Sequence, residues 1–377
     1  MKLSAEQRER DRVHMARCLE LAERYRGRTS PNPIVGCVIV DRRGAVIAEG
    51  AHVAPGKAHA EIAALAKLKG KARGATLYVN LEPCNHQGRT PPCAPVVRDS
   101  GVTRVVIGMA DPIPGHAGGI AVLRRAKIAV DVGVLREACE RANRPFLTWA
   151  LHQRPAFTLK AAITLDGKIA TVTGESKWIT GELARADVMR LRATHDAVMV
   201  GVGTVLADDP ALTARIKGGR DPIRIVIDSQ LRTPVTSKLL PAKATHADPT
   251  RVIIATTAGA ALDREHALTA AGAEVWRMPG HPRGVDLAAL ARKLGDASIT
   301  SVLVEGGGEV HASLLETALA DELVIYIAPK IVGGPAKSWV GGAGLAAISD
   351  AHGFNFDAPT QLGDDLRIIA ARRATDD

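Results

Sequence analysis

Short runs of β-branched and aliphatic residues recur at 34–40, 76–81, 102–108 and 128–132, separated by helical patterns at about 9–26, 59–69, 93–100 and 135–143. Strands that alternate with helices confine the fold to an α/β layer with a mostly parallel sheet. Beyond residue 155 the alternation resumes with new elements. Apolar runs fall at 157–163, 197–202, 223–227, 252–255, 302–305 and 323–328, and helical patterns lie near 181–193, 260–271, 286–294 and 309–319. Between the two series, the segment 144–155 carries Pro145 and Pro155 and a change of pattern. A chain of 377 residues is long for a single core, so the reading is two unlike α/β domains, 1–147 and 153–377. No self-similar period runs along the chain, which argues against a solenoid.

Composition narrows the class. The formal net charge is +9, yet no block of five Lys/Arg stands out and aromatics are only 3%. That leaves little material for a base-stacking platform. The charge is read as a basic surface for small anionic substrates, with no nucleic-acid partner. No stretch approaches the roughly 20 apolar residues of a membrane-spanning helix, and Met1 to Glu6 lack the apolar segment of a secretory leader. Five cysteines, an odd number, point to reduced thiols and a cytoplasmic location. Cys18, Cys37 and Cys139 sit in apolar patterns and read as packing residues, whereas polar and turn residues flank Cys84 and Cys93.

His59-Ala60-Glu61 opens a helical pattern, and Pro83-Cys84 and Cys93 follow. Zinc prefers nitrogen and thiolate donors in a tetrahedral shell, and three protein ligands leave the fourth position to water, as in catalytic sites. His59, Cys84 and Cys93 are the candidate ligands. Glu61, two residues from His59, can stand beside the metal without binding it, take a proton from water and deliver it to a leaving amine. This is the chemistry of hydrolytic deamination, and the order His-x-Glu, Pro-Cys, Cys is the zinc-deaminase signature. The usual signature has two residues between the cysteines; here there are eight, Asn85 to Pro92.

Pro83-Cys84-Asn85-His86-Gln87-Gly88-Arg89-Thr90-Pro91-Pro92-Cys93 resembles the deaminase half of the RibD family of riboflavin biosynthesis, as does Asn32-Pro33-Ile34-Val35-Gly36. The resemblance implies a cytidine-deaminase-like zinc domain and a diaminohydroxypyrimidine substrate with a ribosylamino phosphate. Asn32 and His52 would then bind that substrate. Arg89 is either a phosphate or ring contact or a solvated charge, and His86 reads as a loop histidine. In Asp111-Pro112-Ile113-Pro114, Ile113 replaces the family's Asn, and the glycine segment that follows is one residue shorter.

The second half has two glycine turns after buried strands, Val200-Gly201-Val202-Gly203-Thr204 and Glu305-Gly306-Gly307-Gly308-Glu309. Such turns let backbone approach phosphate, but neither is a full dinucleotide fingerprint. Lys160 to Gly167, Gly174 to Thr180, Gly203 to Thr213 and Val304 to Gly307, in that order, are similar to the reductase half of the same family. The resemblance implies a dihydrofolate-reductase-like fold that uses NADPH. By position, Ala162, Trp178, Thr204, Asp208, Ser229, Gly307 and Gly308 would hold NADPH. Ser176, Arg192, Leu212, Arg215 and Glu305 would hold the substrate, Arg192 and Arg215 gripping its phosphate with forked donors. Lys160, Asp208 and Glu305 are candidates for moving protons. A homo-oligomer, a dimer through the second domain, is the expected assembly.

Two other readings compete. A tRNA or nucleobase zinc deaminase with an accessory nucleotide-binding domain requires Cys-x-x-Cys spacing and an aromatic, basic surface, and neither is found. A zinc-stabilised binding module requires loss of Glu61 or a fourth protein ligand; His86 is the nearby candidate, and the catalytic reading places it outside the metal shell.

Overall fold

Ser4 starts the first helix: its Oγ accepts from the Gln7 backbone N–H at 3.1 Å, and α1 (Ala5–Glu23) follows. The computed structural model describes residues 3–88, 90–113, 115–240 and 251–373. The chain divides into two units, Met1–Gln153 and Arg154–Asp377.

In the first unit α1 is followed by β1 (Gly36–Val40), β2 (Val46–Ala51), α2 (Ala60–Ala66), β3 (Thr76–Leu81), α3 (Cys93–Asp99) and β4 (Arg104–Met109). Then come α4 (Gly119–Arg125), β5 (Ala129–Val132), α5 (Arg136–Ala142) and α6 (Arg144–His152). The sheet order is β2-β1-β3-β4-β5. The expected mostly parallel sheet is corrected here. β3, β4 and β5 are parallel, but β1 pairs antiparallel with both β2 and β3. The cause is a hairpin the apolar runs do not reveal, because Val46 and Ile47 face solvent. Asp41 Oδ1 accepts from the Arg43 and Ala45 N–H groups, and Gly44 turns the chain at φ +88°.

Helices pack closely on this sheet. A Cβ on Gly36 would lie 2.0 Å from the Cys18 carbonyl oxygen, so only glycine lets α1 cross β1 here. Cys18, Cys37 and Cys139 are buried core residues. Asp11, on α1 and 1% exposed, takes Arg104 Nη1 and Nη2 at 2.8 and 2.7 Å and the Tyr78 hydroxyl at 2.8 Å. Burial alone would raise this carboxyl, but these donors hold it below the usual range. Asp11→Ala should destabilise the first unit by about 3–5 kcal/mol, because Arg104 loses its buried carboxylate and keeps only the more exposed Asp131, at 2.7 Å, while the Tyr78 hydroxyl loses its acceptor. Urea unfolding of the purified chain checks this.

The second unit runs β6 (Ala156–Thr164), α7 (Glu182–Thr194), β7 (Ala197–Gly201), α8 (Val202–Asp208), β8 (Ile223–Ile227), β9 (Val252–Thr257), α9 (Leu262–Ala270) and β10 (Glu274–Met278). A small hairpin, β11 (Gly280–His281) and β12 (Gly284–Val285), precedes α10 (Leu287–Asp296), β13 (Ser301–Val304), α11 (Gly308–Glu316) and β14 (Ala320–Ala328). The last strands, β15 (Phe354–Phe356), β16 (Thr360–Leu362) and β17 (Asp365–Arg372), complete the sheet. Its order is β10-β9-β8-β7-β13-β6-β14-β17-β15, with β16 also on β17. The seven strands β10, β9, β8, β7, β13, β6 and β14 are parallel to their neighbours in that order, and β17 joins antiparallel. Alternate residues enter opposite cores: Ala197 and Met199 join one cluster, Val198 and Val200 another. Burial on both faces is why these strands read as continuous apolar runs. β13 inserts between β7 and β6, so the direction of winding reverses there. In open parallel sheets ligands bind at such a point, beyond the carboxyl ends of the strands. Among the described residues no helix is long and apolar enough to cross a membrane.

Candidate active sites

In the first unit a cavity of about 310 Å³ opens over the N-terminus of α2 and the carboxyl end of β3. His59 is the residue before α2, Cys84 follows β3, and Cys93 is the first residue of α3. These three elements bring residues distant in sequence to one point. The His59 Nδ1 lies 3.2 Å from Cys93 Sγ and 3.5 Å from Cys84 Sγ. The three donor atoms all lie within 4.8 Å of one another. One nitrogen and two sulfurs are the donor set zinc prefers, and no fourth ligand joins the cluster among the described residues. Hydrogen bonding from Cys93 and His59 pulls the Cys84 thiol well below its usual range, and the Cys93 backbone N–H also donates to the Cys84 sulfur at 3.4 Å. The Cys93 thiol is pushed up by that same pairing and by burial.

Glu61 lies in the first turn of α2, 3% exposed, in the cavity wall. Burial raises its carboxyl to about 7. Asn32 and His52 line the same cavity, joined by a 3.0 Å contact between Asn32 Nδ2 and His52 Nε2. Burial lowers the His52 pKa and disfavours its cationic form. His86 lies outside the donor cluster and stacks on His116, ring centroids 3.8 Å apart. Arg89 lies outside the described residues.

Several lining residues escaped the sequence reading. Glu82 is buried and accepts from the backbone N–H groups of Asp111, Gly118 and Ile120 at 3.1, 2.9 and 2.9 Å. It thereby holds the loop that carries Asp111, Ile113 and His116 against the cavity. A carboxylate directly before Pro83-Cys84 was the available signal. Phe146 and Trp149, from the segment read as a domain boundary, form part of α6 and line the cavity.

The second unit has a larger cavity, about 630 Å³, at the carboxyl ends of β7 and β13 and beside β6. It gathers Lys160 and Ala162 from β6, Ser176 and Trp178 from the following loop, Arg192 from α7, and Thr204 and Asp208 from α8. Leu212, Arg215, Glu305, Gly307 and Gly308 complete the set predicted from sequence. Ser229 is the exception: it does not line the cavity. It follows β8, one strand further along the same edge, and its carbonyl accepts from Thr257 Oγ1 at 2.9 Å.

Arg192 requires a second correction. Its fork is already committed, with Nε and Nη2 reaching the two Glu305 oxygens at 2.5 and 2.9 Å and Nη1 the Thr213 carbonyl at 2.9 Å. Lys160 Nζ is 3.6 Å from Glu305 Oε2. Burial would raise the Glu305 carboxyl, but Lys160 and Arg192 outweigh it and hold the pKa low. Arg192 therefore organises Glu305, whereas Arg215 in the lining of the same cavity is exposed. Asp209, Leu212 and Arg215 all adopt left-handed φ, +41°, +55° and +52°. Such strain at non-glycine residues concentrates where a loop is shaped for a ligand.

The turn 306–308 fits a dinucleotide phosphate physically. A Cβ on Gly306 would lie 3.1 Å from Thr204 Oγ1, and one on Gly308 3.1 Å from the Gly341 nitrogen, so side chains there would fill the cradle. His311 on α11 keeps the covering loop in place, its Nδ1 lying 3.0 Å from the Trp339 carbonyl.

Comparison with known proteins matches each unit to a known domain family. Residues 8–109 match the cytidine and deoxycytidylate deaminase zinc-binding region, and residues 155–365 match the RibD C-terminal domain. The riboflavin biosynthesis protein RibD of Actinobacillus pleuropneumoniae is 43% identical, over 95% of this chain and 94% of that protein. That of Escherichia coli is 40% identical, over 96% and 100%. Among solved structures, Acinetobacter baumannii RibD superimposes with a TM-score of 0.83 at 34% identity, over 97% of this chain and all of that one. A Thermotoga maritima diaminohydroxyphosphoribosylaminopyrimidine deaminase/5-amino-6-(5-phosphoribosylamino)uracil reductase gives 0.81 at 35%, over 97% and 100%. With a three-donor cluster able to hold zinc in one unit and a cavity lined by a glycine turn in the other, the chain belongs to the RibD family of riboflavin biosynthesis, as a bifunctional zinc-dependent deaminase and NADPH-dependent reductase.

Proposed function

We propose that residues 1–147 hydrolytically deaminate 2,5-diamino-6-(5-phosphoribosylamino)pyrimidin-4(3H)-one and that residues 153–377 reduce the ribosyl side chain of the product to ribityl. The observation that carries the reading is the cluster of His59, Cys84 and Cys93 beside buried Glu61 in the wall of a cavity. His59, Cys84 and Cys93 would hold zinc, and the 306–308 turn, Thr204, Ala162 and Trp178 would hold NADPH. Zinc, when bound, supplies Lewis acidity, and NADPH supplies two reducing electrons.

In the first reaction water enters and ammonia leaves. Glu61 takes a proton from the attacking water and passes it to the departing amine. Asn32, backed by His52, offers its amide to the pyrimidine edge. In the second reaction a hydride equivalent reaches the sugar carbon bonded to nitrogen, and the ring oxygen gains a proton as the ring opens. Lys160 and Asp208 would handle that proton, with Glu305 holding Lys160 in place through their 3.6 Å pairing. Ser229, further along the strand edge, would meet the distal part of the long cofactor.

Arg215 would bind the substrate phosphate. Its guanidinium is 3.6 Å from Met189 Sδ and faces the cavity with no carboxylate partner among the described contacts. Arg215→Ala should raise the KM for reduction about tenfold, the scale of one charge-assisted contact, with a smaller effect on deamination. Unchanged reductase kinetics would remove Arg215 from the site. Phosphorylated substrates for both units account for the net charge of +9 without nucleic acid. Exposed Ile331, Ile348 and Phe356 in the second unit support a dimer through that unit. Free thiols throughout the chain support a cytoplasmic location. The whole reading is tested by supplying the pyrimidine with and without NADPH. Ammonia should appear in both samples and oxidised cofactor in one; ammonia in neither rejects it.

A further inference from the structure

The zinc reading leaves the eight residues between Cys84 and Cys93 without a purpose, since two suffice in the general signature. We infer that Thr90, within that segment, is a positioning residue that fixes the orientation and tautomer of His59 for metal binding. The inference rests on the proposed zinc site and deepens it.

The two ring nitrogens of His59 face different groups. Nδ1 points into the donor triangle, 3.2 Å from Cys93 Sγ and 3.5 Å from Cys84 Sγ. Nε2 points away from it and lies 3.2 Å from Thr90 Oγ1. A neutral imidazole has one N–H and one lone pair. If Nδ1 gives its lone pair to a metal, Nε2 carries the hydrogen and donates it to the Thr90 oxygen. Holding that N–H fixes the ring plane as well as the tautomer and makes the other nitrogen a better donor. His52 braces the ring from another side, edge-on at 5.3 Å between centroids.

The chain geometry explains the spacing. Thr90 is followed by Pro91 and Pro92, and Cys93 then begins α3. Proline fixes φ, so this dipeptide is a stiff connector between Thr90 and Cys93. One segment thus carries a sulfur ligand and, three residues earlier, the hydroxyl that orients the nitrogen ligand. A two-residue connection from Cys84 has no length to reach the far side of the His59 ring and return.

The test is a zinc competition titration of the purified full-length chain against a chromogenic chelator, with the visible spectrum of the cobalt-substituted protein recorded alongside. Thr90→Val keeps the shape and removes the oxygen; it should weaken zinc binding about 10- to 100-fold, the usual cost of losing a partner of a metal-bound histidine. It should also shift the cobalt ligand-field bands. Thr90→Ser keeps the hydroxyl and should restore both. A Thr90→Val chain with wild-type affinity and spectrum overturns the inference. So does a Thr90→Ser chain as weak as Thr90→Val, because the loss would then follow loop packing. A wild-type chain that takes up no zinc overturns the metal reading itself, whereas wild-type binding equalled by Thr90→Val overturns only the role of Thr90.

Discussion

Glu61→Gln should lower ammonia release about 100- to 10,000-fold, the range typical for a positioned general acid–base. It should leave zinc content and the reduction of pre-deaminated substrate at wild-type levels. Glutamine matches glutamate in size, so the packing of this 3% exposed side chain at the start of α2 is kept. What is lost is the ability to accept a proton. His59, Cys84 and Cys93 remain in place, because Glu61 is not among the clustered donors. Ammonia and bound zinc, measured on the same sample, separate the two roles. Equal deamination rates in variant and wild type would reject Glu61 as the proton carrier, and loss of zinc would make it part of the metal site.

Glu305→Gln should abolish reduction and destabilise the second unit by about 3–5 kcal/mol, the cost of removing one partner from a buried ion pair. The Glu305 side chain is 6% exposed and faces two cations, Arg192 and Lys160. Without the carboxylate both remain buried and uncompensated. The same network sets a pH dependence. The pKa of Glu305 is held below its ordinary value of 4.5, so the folded state favours the charged form. Its contribution to stability is fully present above that ordinary value and is lost as pH falls through the lower, folded one. Urea unfolding at a series of pH values should show wild type losing an increment of stability in acid that Glu305→Gln lacks throughout. Coincident profiles would mean that the pair contributes nothing.

The parts of the site that were legible in sequence are those whose chemistry is local or tied to a fixed motif. His59 and Glu61 sit two residues apart at a helix start, and Cys84 and Cys93 flank a marked loop. Zinc accepts few donor types, so their presence in that order carries most of the information. The glycine turns were legible because a backbone that approaches a phosphate or another strand tolerates no side chain. Side chains whose roles depend on long-range contact were read less well. Arg192 looks like a phosphate ligand until Glu305, 113 positions away, occupies its fork. Glu82 looks like an ordinary acidic residue until three backbone N–H groups from the 111–120 loop converge on it. Ser229 lies on the expected strand edge but outside the cavity lining, because one strand's width separates it from the glycine turns.

The amino-acid order alone determined the α/β class and the glycine turns and singled out His59, Cys84 and Cys93 as candidate donors, because hydrophobic period, ligand chemistry and backbone sterics are properties of short segments. Only the tertiary structure decided that β1 runs antiparallel to its neighbours, that Arg192 and Lys160 both hold Glu305, and that Thr90 stands behind His59. Those outcomes depend on which side chains the packed sheets bring within hydrogen-bond reach, and that distance is set by the whole fold.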